Sequence, residues 1–207
     1  MQTTATTDYT QAIKEATQLF EELRPVDQWT LESDKNGFRV YTRKDAATGL
    51  KMARGESTIN KSVAKVDEAL EDPKAVMKWD DTIVENDKLE QSGEYRVIRS
   101  LNKKQFMVTQ RETLLVFQTV KNADGSLLIV GKSIDHASYP PKKEYVRAHI
   151  PVYGWLLTPN KEDPNKTDVI YIIFVDPKGM IPSGVFNSFV QEQAANAQKI
   201  KNYCEKQ

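Results

Sequence analysis

Over residues 183–203 this chain reads as one long amphipathic helix, and there are few ways to bury it. Val185, Phe186, Phe189, Val190, Ala194, Ala197, Ile200 and, at its end, Cys204 recur at spacings of three and four, the period of a helix with one broad apolar stripe. The helix follows an apolar strand over 169–175 and the segment Asp176-Pro177-Lys178-Gly179-Met180-Ile181-Pro182. A stripe of that length, arriving after many strands, is buried by lying across a curved sheet. Such a grip leaves space for a cavity between helix and sheet.

The rest of the pattern supplies that sheet. Asp8 with Gln11 three residues on reads as a capping box, and Ala12, Ile13, Ala16, Leu19, Phe20 and Leu23 hold helical spacing up to Pro25. The period then changes to two over 29–33, 38–43 and 50–59, with Asn36-Gly37 as a type I′ hairpin signal. Val63, Val66 and Leu70 return to helical spacing, and Pro73 starts a second short helix ending near Trp79. Further strands are predicted at 82–86, 94–100, 106–119, 127–133, 145–149, 153–158 and 169–175. Their hairpin-length connections imply antiparallel pairing. The fold class is α+β: a strongly curved antiparallel sheet wrapped around a long C-terminal helix, with an N-terminal helix and two short helices inserted after the third strand.

Composition narrows the function. The 29 basic residues equal the 29 acidic ones, so no global field favours nucleic acid. A single cysteine, Cys204, excludes an internal disulfide framework and points to a reducing, cytoplasmic setting. No apolar run approaches the roughly 20 residues that span a bilayer. Residues 1–7 read as a short disordered lead, and 8–207 as one domain. His136 and His149 are the only histidines, too few for a zinc site of three or four N or S ligands. Ser133 and His136 lack a Gly-x-Ser-x-Gly elbow, and no Gly-rich phosphate loop is present. No metal or cofactor is expected.

Several ordered pieces resemble the START family, the steroidogenic-acute-regulatory-related lipid-transfer domains. Gly37-Phe38-Arg39-Val40-Tyr41-Thr42-Arg43 looks like its early strand, and Trp79-Asp80 with Glu85 like its Trp-Asp element. Ser133-Ile134-Asp135-His136, Pro140-Pro141 and Tyr145-Val146-Arg147-Ala148 resemble its mid-domain signature. Residues 167–171, Asp176-Pro177-Lys178-Gly179, Ile181-Pro182 and Asn187 resemble its closing signature. The resemblance runs from about Trp29 to the end of the last helix. It implies a helix-grip fold with an internal tunnel for one lipid, closed by the last helix and neighbouring loops, and binding or transfer without chemistry on the ligand. Arg147 and Asp176, in these signatures, are expected to be structural ties. One departure stands out. Where the family often has a Pro-containing loop and then Arg-Asp-Phe, this chain has Ser100-Leu101-Asn102-Lys103-Lys104-Gln105-Phe106. The place of an inward Arg is taken by Gln110, with Arg111 one step further, so a headgroup or sterol-hydroxyl site built on that Arg is not carried over.

Candidate lipid-binding residues follow. On the last helix Phe186, Val190, Gln193 and Ala197 share one face, and Gln193 is costly to bury without a partner. It is either a polar anchor in a cavity wall or the wet edge of a core stripe. On the strand over 106–119, the face of Val108 and Gln110 is taken as inward. Across the sheet, Tyr95, Ile129, Tyr153 and Tyr171 offer apolar area or phenol hydroxyls. Lys103 and Lys104, with Met180 and Ile181 as an apolar tip, would make transient contact with a membrane surface, each Lys adding about 1 kcal/mol of attraction to an anionic leaflet. A monomer is expected. Two other readings stay open: a helix-grip enzyme, which needs a perturbed acid or base in the tunnel, with Glu112 as candidate, and a lipid-sensing interaction module, marked by a large exposed apolar patch.

Overall fold

The computed structural model describes residues 8–104, 108–181 and 183–207. The expected lead over 1–7, and the start of the strand expected from Phe106, lie outside the described residues. Helix α1 (Thr10–Leu23) is followed by a 3-10 turn at Val26–Gln28 and the strands β1 (Thr30–Lys35), β2 (Phe38–Lys44) and β3 (Lys51–Ile59). Helices α2 (Val63–Glu71) and α3 (Pro73–Trp79) come next, then β4 (Ile83–Ser92), β5 (Tyr95–Asn102), β6 (Arg111–Lys121), β7 (Leu127–Ser133), β8 (Val146–Arg147), β9 (His149–Pro159) and β10 (Thr167–Asp176). The chain ends in α4 (Ser183–Ala194) and α5 (Asn196–Glu205).

One curved sheet runs in the order β1-β2-β3-β10-β9-β7-β6-β5-β4, antiparallel throughout, with the short β8 pairing parallel to β6. The turn at Asn36 and Gly37 places both residues at positive φ, 54° and 78°, as a type I′ hairpin requires. The capping box does not form. The N-cap is Tyr9, the Asp8 carboxylate accepts from the Thr10 amide at 2.9 Å, and Gln11 donates to Glu15 instead.

The sheet has a core on each face. On the convex face α1 lays Ile13, Ala16, Phe20 and Leu23 against β7 and β9. The Phe20 ring occupies the place where a side chain on Gly154 would stand, so helix and strand approach closely only because β9 carries a glycine there. On the concave face α4 and α5 pack chiefly against β3 and β10, α2 against β9 and α3 against β4. Trp79 ties α2 to α3 by donating its Nε1–H to the Ala69 carbonyl at 3.0 Å, and its ring meets Trp155 edge-on at 6.0 Å.

The last helix is not continuous. It breaks at Ala195, where the amides of Gln198 and Lys199 both donate to the Ala195 carbonyl, and the Ala197 carbonyl accepts from Ser57 Oγ at 3.0 Å. Opposite the break lies β3, where a Cβ on Gly55 would collide with the Ala194 carbonyl oxygen and crowd Ala197, so helix and strand approach this closely only because of the glycine. The helix stripe contains neither Pro nor Gly at this point, so nothing in its own sequence announces the break. Cys204 sits in the inner core, where burial raises its thiol to about 11; it packs as a small apolar group.

Candidate functional site

Strand alternation decides which side chains meet under the last helix. On β5 the inward residues are Arg96, Ile98 and Ser100; on β6 they are Thr113, Leu115 and Phe117, because Ile98 pairs with Leu115 and Ser100 with Thr113. On β9 the inward parity changes from Ile150 to Tyr153 and Trp155, since the strand carries an extra residue between His149 and Val152 opposite β10. Val185, Phe186, Phe189 and Gln193 of α4 cover the space, and Leu70, Pro73 and Val76 close one side. The interior open to the centres of water molecules is ≈ 150 Å³, against roughly 10–15 Å³ for one water. This is a chamber and not a packing defect.

Its wall is chiefly apolar, with polar groups gathered in a few places, the pattern of a small-molecule site. Arg96 is 6% exposed. It pairs with Glu71 at 2.9 Å, donates to Thr119 Oγ1 at 3.1 Å, and its guanidinium lies 5.6 Å from the centre of the Phe117 ring. Burial lowers its pKa, while Glu71 and Asp67 push the other way. Beside it, burial raises the pKa of Asp67, the neighbouring Glu71 adds to the rise, and Asp67 Oδ1 has no hydrogen-bond partner among the described residues.

A second group centres on Asp80, directly after α3. Its Oδ1 accepts from the Thr82 amide and hydroxyl at 3.0 and 2.6 Å, and its Oδ2 accepts from Asn196 Nδ2 at 3.2 Å. The carboxylate thus clamps the start of α5 to the loop below it. Next to this clamp Tyr171 stacks on Trp155 at 4.2 Å and donates its hydroxyl to Gln193 Oε1 at 3.3 Å. Tyr153 meets Phe117 and Tyr171 edge-on, each at 5.4 Å. Burial raises the phenol pKa of both tyrosines, and the Asp80 charge raises them further, so both remain neutral hydroxyls.

At the rim Arg111 donates to the carbonyls of Pro177, Lys178 and Thr109 at 3.0, 2.8 and 2.6 Å. It latches the loop after β10, where Lys178 and Gly179 have φ of 50° and 64°. Asp176 caps that loop by accepting from the Lys178 amide at 2.9 Å. Met180 at its tip is 99% exposed, while Ile181 beside it lines the chamber.

Of the residues singled out from the sequence, Val108, Ile129, Tyr153, Phe186 and Gln193 line the chamber. Val190 and Ala197 are buried in the inner core without lining it, Ala197 facing Gly55. Tyr171 stands behind the wall as the partner of Gln193. Tyr95 is on the convex face, edge-on to Tyr9 at 6.0 Å. Gln110 donates to the Asn102 carbonyl at 2.9 Å and is not part of the wall. The face chosen for this strand is therefore corrected: β6 begins only at Arg111, and from there its odd residues point inward.

Glu112 belongs to the outer face too. It is 1% exposed and bound by Arg99 at 2.5 Å and Arg147 at 2.8 Å. Burial raises its pKa, but the hydrogen bonds and charges of the two guanidiniums outweigh that and hold it below the usual range. Arg147 is thus a structural tie. Arg96 and Trp155 are wall residues that sequence reasoning did not single out, and Asp80 and Arg111, noted there only for the family resemblance, line the wall as well. An arginine in an alternating strand is a visible signal, but the sequence does not say which of Arg96 and Arg99 points inward.

With this geometry in view, the relatives are informative. A family model described as START domain matches residues 11–205. The chain belongs to the START family. An uncharacterised Pseudomonas aeruginosa protein is 30% identical over 181 residues, 87% of this chain and 88% of that one. The Danio rerio mitochondrial steroidogenic acute regulatory protein is 25% identical over 82% of this chain, which spans 61% of the fish protein. The structure of human StAR-related lipid transfer protein 5 superposes with a TM-score of 0.84 at 18% identity, covering 95% of each chain. In START terms, the Trp-Asp element is Trp79 holding α2 to α3 and Asp80 holding α5, and the closing signature is the loop latched by Arg111. Among the described residues no cluster of three or more His, Cys, Asp or Glu could hold a metal ion, and no helix is long and apolar enough to cross a membrane.

Proposed function

We propose that this START protein binds one lipid molecule, of phospholipid or sterol class, in the chamber under α4 and transfers it between membranes without chemical change. The observation that carries the reading is the chamber itself, whose surface is chiefly apolar through Ile98, Leu115, Phe117, Ile173, Val175 and Phe186. Moving apolar chains from a bilayer into a wall of similar apolarity costs little free energy, whereas crossing bare water exposes them at roughly 25 cal/mol per Å². A protein that shields the ligand removes that barrier. The walls leave entry to a movement of α4 or the loop after β10.

Membrane contact belongs to the same proposal. Met180 is exposed to solvent and Ile181 reaches the chamber, so the tip joins a bilayer to the ligand space, with Lys103 also lining the wall. A cytoplasmic monomer meeting membranes transiently fits this arrangement. An enzyme would need a poised acid or base facing the ligand. Glu112 faces away, Glu71 is paired with Arg96, and both oxygens of Asp80 accept hydrogen bonds. For an interaction module, the large apolar side chains exposed among the described residues are Val26, Leu31, Met77, Val84 and Met180, spread over separate segments.

Native mass spectrometry of the purified protein, with extraction and identification of any bound lipid, tests the proposal. A stoichiometric lipid is expected, and the protein should move fluorescent lipid between vesicles. An empty mass that stays unchanged after incubation with mixed liposomes overturns it.

A further inference from the structure

The polar corner around Gln193 has hydrogen-bonding capacity that the protein does not use. Gln193 is 6% exposed and lines the chamber. Its Oε1 accepts from Tyr171, which fixes the amide so that Nε2, with no partner among the described residues, is left to donate. Trp155 also lines the chamber, is 0% exposed, and its Nε1 has no hydrogen-bond partner although it approaches the Tyr153 phenol. Asn196 Oδ1, one helical turn from Gln193, is likewise buried and unpartnered. Buried polar atoms without partners are rare, because each costs the desolvation of its group.

The charges nearby decide what can satisfy them. Asp80, bonded to Asn196, is the formal charge of this corner, and its field raises the pKa of Tyr153 and Tyr171 on top of the larger effect of burial. Arg96 is already matched by Glu71 at 2.9 Å. The cation at the rim, Arg111, is spent on three carbonyls. A carboxylate or phosphate placed against Gln193 would meet the Asp80 charge, and Lys103, the other cation of the lining, is an exposed residue whose ammonium stays hydrated. A hydroxyl or carbonyl oxygen would accept from Gln193 and Trp155 without introducing charge.

Resting on the lipid-binding reading and adding its selectivity, we propose that the corner formed by Gln193 and Trp155 receives an uncharged oxygen group of the ligand, a hydroxyl or carbonyl, and rejects an anionic one. The lipid would then enter with its neutral polar group seated beneath the break in the last helix, and any charged headgroup would have to lie elsewhere.

Displacement of an apolar fluorophore by four compounds of one chain length, hexadecanol, methyl hexadecanoate, hexadecanoate and hexadecane, tests this with the full-length protein. The alcohol and ester should bind about three- to tenfold more tightly than the alkane, the size of one or two net hydrogen bonds, and the acid at neutral pH no better than the alkane. Gln193→Leu should bring alcohol and ester down to the level of the alkane while leaving alkane binding in place. Trp155→Phe, which keeps the ring stack and removes only the N–H, should do the same in part. Tightest binding of the acid, or an unchanged ranking in both variants, overturns the assignment while leaving lipid binding intact. Failure of all four compounds to displace the probe counts instead against lipid binding itself.

Discussion

The two faces of the sheet are built from alternate residues of the same strands, yet one is filled and the other is not. On the convex face the cover is α1, whose Phe20 sits directly on Gly154. The ionic residues there close on one another: Glu112 takes two arginines. On the concave face α4 and α5 press on β3 around Gly55, but between α4 and the strands β5 and β6 lies the chamber, and the buried Nε1 of Trp155 in its wall has no hydrogen-bond partner. Close packing is what a folded chain does by default. A region that departs from it, with an unsatisfied polar group on its wall, is where the proposed lipid site lies.

This contrast can be broken by measurement, beginning with the convex face. Phe20→Ala removes a fully buried ring from a filled core and should cost about 3–5 kcal/mol in urea denaturation. A cost below about 1 kcal/mol would mean that α1 is only loosely attached. Glu112→Ala leaves Arg99 and Arg147 without their shared carboxylate and should cost about 3–5 kcal/mol.

The same group gives a pH signature. Because the folded pKa of Glu112 lies below its unfolded value, its contribution is complete above the unfolded pKa of about 4.3. It is lost as pH falls through the folded value. Wild type should therefore lose stability in that acid window, and Glu112→Gln should show a flatter profile there. An identical acid profile in the two proteins would count against the pairing.

On the concave face the same kind of truncation should cost less. Phe186 borders the chamber on one side, so Phe186→Ala forfeits fewer protein contacts and should fall below the roughly 3 kcal/mol at the lower end for Phe truncation. A loss equal to that of Phe20→Ala would abolish the distinction between the faces. Gly55→Ala places a methyl against the Ala194 carbonyl and should cost about 1–3 kcal/mol by overpacking. If the break at Ala195 depends on that contact, ligand binding should change as well, which calorimetry can read.

The smallest effect concerns Asp67, whose folded pKa is raised chiefly by burial. Here the sign reverses. The folded state holds its proton more tightly, so stability falls as pH rises through the window above the unfolded pKa. Asp67→Asn should leave stability at neutral pH unchanged or raised by under about 1 kcal/mol. A clear loss would show that the carboxylate is paired favourably.

Much of this protein was legible in the chain. The stripe from Val185 to Cys204, the Asn36-Gly37 turn, the paired short helices and the alternating strands gave the element order, since periods of 3.6 and 2 are local properties. Gln193 was visible for a similar reason: an amide among apolar neighbours on one helix face signals either a partner or a solvent edge, and Tyr171 proved to be the partner. The face of β6 was not legible, because Val108, Gln110 and Glu112 mix polarity as fully as their odd-numbered neighbours do. Tyr95 fell on the convex side for the same reason.

The sequence by itself determined which segments are helix or strand, and that the last helix must lie on the sheet. Only the tertiary structure decided which strand face looks inward, because one extra residue in β9 changes the parity between Ile150 and Tyr153. It also decided where the last helix breaks, opposite a glycine on a strand about 140 residues away. Above all it decided that Trp155 and Gln193 line one chamber with the Trp155 Nε1 left without a partner, a juxtaposition of β9 with the last helix that no local pattern encodes.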